Sequence, residues 1–197
     1  MNVNELIAWL AELSAANGFS ISEDVIRRAV AFSQVKEFAK GTVIKSMGDE
    51  AGQSAIVLSG IVRSYYIDSD GNDMTRNFSM ECGWCLDEGM IGYTQHHCMW
   101  EALEDSTLLL FEAEKMKAMI YDSEELKSLW IEMLESALRY KHYRENGFLT
   151  ENATQRYLHF KKRFPYLSNR VPQKHIATYL GITPESLSRI RKAMKDE

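Results

Sequence analysis

Near the C-terminus, Thr183, Glu185, Ser186, Ser188, Arg189 and Lys192 form a run of side chains able to read nucleic acid. Arginine can donate in pairs to guanine O6 and N7, a carboxylate accepts from cytosine N4, and hydroxyls serve either role. Lys192 and Lys195 suit phosphates, contacts that position a protein without reading sequence. A second chemistry is offered by Cys82-Gly83-Trp84-Cys85, whose spacing suits one metal ion or a reversible disulfide, with His96, His97 and Cys98 as further ligands. Each set has a plainer reading. Glu185 and Arg189 also stand at the spacing of an ordinary helical ion pair, worth about 0.2–0.5 kcal/mol. The cysteines fall in a β-rich stretch, whereas a redox C-x-x-C normally opens a helix after a strand, so a structural role also fits them.

The elements around the first set decide between its readings. Pro172 suits the first position of a helix, and Ile176, Ala177 and Leu180 then recur on one apolar face. Gly181 lets that helix stop. Thr183 can cap the next one, Pro184 fits its first turn, and Leu187, Ile190 and Met194 repeat at i, i+3, i+7. Helix, tight turn and helix make a helix-turn-helix, whose second helix enters the major groove with its N-terminal residues against base edges. Upstream, residues 151–164 are amphipathic, with Ala153, Tyr157, Phe160 and Phe164 apolar, and supply the first helix of the same module. His159 and His175 are expected at its surface, on the phosphate side.

Charge supports this division. Residues 152–197 hold ten Lys/Arg against three acids, a net of +7, and the remaining residues carry −12 within a total of −5. A chain of 197 residues with 45% hydrophobic content can form one large domain or two modest ones. No run approaches the roughly 18 apolar residues of a membrane span, and the N-terminus lacks the basic start and apolar stretch of a secretory signal. Three cysteines, an odd number, argue against a disulfide scaffold, so a cytoplasmic protein is expected.

From Val35 to Glu112 the pattern changes to short apolar runs broken by turn residues: 42–44, 55–58, 61–67, 74–78 and 107–111. Several short strands at this spacing predict a sandwich or barrel. Residues 6–13 and 25–32 have helical spacing ahead of it, with Ser22 as cap of the second. From about Asp122 a long helix begins, with Leu126, Trp130, Met133, Ala137 and Tyr140 at the spacing of a coiled-coil seam and Leu129, Leu134 and Leu138 as a second stripe. With two stripes, such a helix is expected both to pack on its own barrel and to pair with a second copy of the chain; the alternative is the core helix of a monomer. The fold class expected is α+β: N-terminal helices and a β-roll or jelly-roll barrel, a long helix, and an all-α C-terminal module.

In this order, and most densely in Gly48-Asp49 through Ile56 to Arg63 and in Ile176 to Arg189, the chain resembles the Crp/Fnr family of bacterial transcription regulators. The resemblance implies a cyclic-nucleotide-binding-like sensor domain over 1–121, a dimerisation helix over 122–148 and a DNA-binding domain over 149–197. It implies double-stranded DNA, a second copy, RNA polymerase and a small-molecule effector as partners, and neither cofactor nor membrane. Glu185 and Arg189 fall on base-reading positions, Ser186 on a neighbouring contact, and Pro184 where a basic residue is frequent. With the chain stopping at Glu197, a β-hairpin wing is not expected.

Asp87-Glu88-Gly89 and His97-Cys98-Met99 correspond to the stretches that hold a cyclic nucleotide, so Glu88, His97, Cys98 and Trp100 are the candidate effector contacts. No Lys or Arg occurs from Asn77 to Glu114, although eight acids do, and a buried phosphate without such a partner is poorly compensated. Tight binding of cyclic AMP is therefore not expected. Trp84, Met90, Tyr93, Met99 and Trp100 could line an apolar pocket or simply fill the core. The competing reading is a cytoplasmic thiol- or metal-dependent redox sensor built on Cys82 and Cys85. No G-x-S-x-G, P-loop, H-E-x-x-H or Rossmann fingerprint is present, and Asp87 and Glu88, if on a strand, would point to opposite faces, so no enzyme is expected.

Overall fold

Local signals set many of the element boundaries in the structure, a computed structural model in which residues 1–194 are described. The chain divides into two units: Met1–Arg63 with Ser79–Ser136, and Ser64–Phe78 with Ala137–Glu197.

The first unit opens with helix α1 (Val3–Ala16), started by a capping box in which Asn2 and Glu5 each satisfy the other's backbone N–H. Helix α2 (Glu23–Val30) follows. Ser22 stands at its N-cap but does not cap it with its side chain. Instead the Ser22 N–H and hydroxyl donate to Glu125 Oε2 at 2.8 and 3.0 Å.

Along the chain, eight strands come next among the described residues: β1 (Ser33–Phe38), β2 (Val43–Lys45), β3 (Gln53–Ser59), β4 (Val62–Ile67), β5 (Asp73–Ser79), β6 (Trp84–Cys85), β7 (Met99–Ala102) and β8 (Ser106–Glu112), with β4 and β5 mostly in the second unit. They make two four-stranded sheets, ordered β1-β8-β3-β6 and β2-β7-β4-β5. Strands β3 and β8 pair antiparallel, Ala55 opposite Leu110 and Ile56 opposite Leu109. Because strand side chains alternate, Ile56, Leu109 and Phe111 pack with the helices, and Ala55, Val57, Leu108 and Leu110 pack into the barrel interior. Burial on both faces explains why these two strands read as continuous apolar runs.

Helix α3 (Ala113–Asp122) leads into α4 (Glu124–Thr150), 27 residues long. Burial separates the two stripes expected on α4. Leu126 is buried in the helical core with Leu129 and Trp130 packed beside it, so this stripe folds against its own unit. The stripe left to solvent is Ile131, Leu134 and Leu138, 55, 38 and 68% exposed.

In the second unit, α4 from Ala137 onward and the β4–β5 hairpin from Ser64 to Phe78 accompany α5 (Ala153–Arg163), a 3-10 turn (Leu167–Asn169), α6 (Gln173–Leu180) and α7 (Pro184–Ala193). Its core is aromatic: Phe78, Phe160, Phe164 and Tyr179 lie with ring centroids 5.4 to 6.4 Å apart, within the range in which tilted and edge-on pairs attract. Among the described residues, no helix is long and apolar enough to cross a membrane.

Candidate nucleic-acid interface

The turn between α6 and α7 is built as its residues demand. Gly181 takes φ +67°, a left-handed conformation that L side chains rarely adopt, and a Cβ there would come within 2.9 Å of Phe148 Cε1. The Gly181 and Ile182 N–H groups close the end of α6 on Thr178 and Ala177 carbonyls at 3.2 and 3.0 Å. Thr183 then caps α7, its Oγ1 accepting from the Ser186 N–H at 3.2 Å, with Pro184 in the first turn. Pro172, expected inside α6, is instead its N-cap.

Helix α6 is held from several sides within its unit. Thr75 and Thr178 hydroxyls are 2.8 Å apart. The Arg144 guanidinium donates to the Arg76 and Tyr179 carbonyls, both at 2.7 Å, and lies 3.9 Å over the Tyr179 ring. The Tyr140 and Tyr179 hydroxyls are 2.8 Å apart, and burial, the main cause, pushes the Tyr179 phenol well up. Packing on several sides widens the buried face of α6 to include His175, only 4% exposed, which corrects its expected place at the surface. His159 is half-buried, its Nδ1 3.0 Å from Glu151 Oε2.

Helix α7 turns Leu187 fully inward and leaves Glu185, Ser188, Arg189 and Lys192 exposed, with Thr183 exposed at its cap and Ser186 half-buried. Arg189 Nη2 donates to Ser186 Oγ at 3.4 Å, a long bond that holds the arginine loosely along the helix. The Glu185 carboxyl is lowered, first by its own backbone N–H, then by the Thr183 hydroxyl, with the Arg189 charge contributing less, and so favours the ionised acceptor form. Lys161, Lys162, Arg163, Arg170 and Lys174 are also exposed in this unit and add positive charge. Lys195 lies outside the described residues. Sequence reasoning missed the positioning residues Thr75, Arg76 and Arg144. The hint for Arg144 was a cation four residues after Tyr140 on one helix.

Residues 35–123 match the cyclic nucleotide-binding domain family. Most of the chain resembles solved structures. It superposes on FixK2 from Bradyrhizobium japonicum with a TM-score of 0.72 at 20% identity, covering 83% of this chain and 85% of that one. With a transcriptional regulator of the Crp/Fnr family from Eubacterium rectale the TM-score is 0.70 at 18% identity, covering 89% and 84%. This chain has the Crp/Fnr fold. The c-di-GMP-responsive global regulator CLP of Xanthomonas campestris shares that fold at a TM-score of 0.70 and 16% identity, over 89% and 92% of the chains. A search of curated proteins finds no match.

In the barrel of this Crp/Fnr fold, the candidate effector contacts do not meet in one open pocket. Cys98 and Trp100 are 0 and 2% exposed, packed with Val57, Val62, Cys85 and Leu108, whereas the His97 side chain is mostly exposed. Glu88 is buried in a 3-10 turn (Glu88–Ile91) and accepts from the His97 N–H. Asp87 starts that turn, accepting from Gly89 N at 2.7 Å and from Gly52 and Gln53 N–H groups at 3.2 and 3.1 Å. The two acids therefore do not diverge as they would on a strand. Both approach the buried His96 ring, Asp87 Oδ2 at 2.9 Å from Nε2, off the line of a hydrogen bond, and Glu88 Oε2 at 3.9 Å from Nδ1.

Cys82 is exposed with φ +65°, and Cys85 and Cys98 are buried. Burial, above all, pushes the Cys85 thiol up to about 12, with the neighbouring Cys98 adding to the rise and a Ser79 hydrogen bond opposing it. No group of three metal-ligating side chains is assembled among the described residues.

Proposed function

We propose that this chain is a homodimeric, sequence-specific DNA-binding transcription regulator of Crp/Fnr type, with a sensor domain over 1–121, a pairing helix over 122–148 and a DNA-binding domain over 149–197. The observation that carries this reading is α7: a capped helix that leaves Glu185, Ser188 and Arg189 open to solvent and stands on a rigidly bonded α6. In the proposed complex Arg189 and Glu185 read base edges, Thr183, Ser186 and Ser188 make neighbouring contacts, and Lys192 meets phosphate. RNA polymerase is the further partner of such a regulator.

The exposed stripe Ile131, Leu134 and Leu138 supports pairing of α4 with the same helix of a second copy. Selection of bound fragments from random DNA tests target and symmetry together. An inverted repeat with half-site centres one helical turn apart or a multiple of it is expected, and Leu138→Glu should reduce the complex to single half-site binding. Recovery of fragments with no shared sequence would overturn the reading.

The effector of the proposed regulator is not cyclic AMP. Residues 77–114 offer no lysine or arginine, and the buried Arg63 is paired with Glu101 at 3.2 Å. Calorimetry with cyclic AMP is expected to show no binding at micromolar concentrations. The thiol-sensor alternative is less well supported, because the buried Cys85 thiol is held protonated far above neutral pH.

A further inference from the structure

The first unit contains a cavity of about 330 Å³ that lies outside the barrel interior. Its walls come from α1, α2, α3, α4, from the helix-facing side of β3 and β8, and from β6 and the 3-10 turn. Trp84, Trp130, Ile56, Phe111, Met90 and Met133 represent these walls. The lining includes no lysine, arginine or histidine and a single carboxylate, that of Glu132. Glu132, Asn17 and Ser136 are exposed and form the rim, whereas Ser54, deep and 1% exposed, already accepts from the Asp87 N–H at 3.1 Å.

Size and chemistry narrow the ligand. A dry apolar cavity of about 150 Å³ holds a benzene molecule, so this one holds a molecule of about a dozen heavy atoms. A space of this size, lined by aromatic and methionine side chains with polar groups at one end, has the character of a small-molecule site. An anionic head group would meet no cation there and would face Glu132.

We propose that this cavity binds a neutral, largely apolar molecule of about a dozen heavy atoms, such as a medium-chain alcohol. We further infer that this ligand is the effector, a role that rests on the regulator reading above. Leu126, Leu129, Trp130 and Met133 of α4 line the site, so occupancy acts directly on the helix that continues into the second unit. A ligand shifts an equilibrium only through such differential contacts.

The full-length chain provides its own reporters. Decan-1-ol is titrated while the fluorescence of Trp84 and Trp130 is followed, with decanoate as the charged counterpart. Saturable binding of one alcohol per chain is expected, with decanoate at least tenfold weaker. Cys82, exposed and part of the lining, should react with a thiol reagent at least fivefold more slowly at saturation. Met133→Trp narrows the cavity from a half-buried position and should weaken decanol binding at least tenfold. The Cys82 measurement on the unaltered chain stands independently of how that variant folds. Unsaturable binding, equal affinity for decanoate, or an unchanged Cys82 rate overturns the site.

These measurements need no DNA, so their failure is distinct from a failure of DNA binding. The effector role is read separately: saturating decanol should change affinity for the selected DNA at least threefold. An unchanged affinity, with decanol bound, overturns that role while the site and the DNA-binding reading stand.

Discussion

Arg189→Ala is expected to remove base preference at one position in each half-site while leaving the folded protein intact. The guanidinium is exposed and its hydrogen bond to Ser186 is long, so the folded state loses little with it. A bidentate arginine–guanine pair contributes about 1–3 kcal/mol of discrimination, which corresponds to roughly 5- to 150-fold between the preferred base and its competitor. Arg189→Lys should restore charge but not discrimination, because an ammonium cannot present two parallel donors. Lys192→Ala provides the contrast. A phosphate contact carries no sequence information, so its loss should weaken all sequences alike and reduce the salt slope by about 1. Competition gel shifts over a salt series read both quantities. Unaltered discrimination in Arg189→Ala would remove that residue from the interface.

The helix-turn-helix was legible because its signals are local. A threonine cap, a proline in the first turn and a glycine stop act within a few residues, and the structure places Thr183, Pro184 and Gly181 in those roles. Strands β3, β4 and β8 were legible for a similar reason, each being a largely apolar run between turn residues. Strand β1 was missed because its middle residues, Gln34 to Glu37, are exposed and so carry no alternating apolar pattern. Strand β6, two residues long, is too short to show a period. Helix α3 was overlooked although Met116, Met119 and Ile120 carry its apolar spacing.

What the sequence could not show depends on contacts between distant segments. The Thr75–Thr178 and Arg144–Arg76 bonds join residues 103 and 68 apart, and with them the environment of α6 and the burial of His175 are set. The same holds for α4, whose two apolar stripes look alike in sequence. Only the position of Ile56, Leu109 and Phe111 decides that Leu126 packs inward and leaves Leu134 and Leu138 in solvent. The surroundings of the candidate effector residues are set in the same way. Cys98, within the corresponding stretch, and Trp100, just after it, are core, and a cavity of about 330 Å³ is formed by helices on the other side of the sheet.

Phe160→Ala is expected to be the most destabilising single change in the second unit. The ring is 2% exposed and contacts Phe78, Tyr157, Phe164 and Tyr179, drawn from the end of β5, α5, its C-cap and α6. Truncating a buried phenylalanine costs about 3–5 kcal/mol, the transfer of the ring plus the cavity left behind, and the bond from Arg156 Nε to the Leu180 carbonyl at 3.1 Å ties α5 to α6 and limits their closing on the gap. Urea unfolding followed by aromatic circular dichroism should show a matching fall in the midpoint of this unit. Phe160→Leu should recover part of the loss, because most of the volume returns without the edge-on ring contacts. Leu158→Ala, at an exposed position on the same helix, should shift the midpoint by less than about 1 kcal/mol equivalent. DNA affinity should fall with Phe160→Ala while the Cys82 labelling rate stays unchanged, since Cys82 belongs to the other unit. A Phe160→Ala protein with the parent midpoint would mean that the aromatic cluster does not hold the recognition module in place.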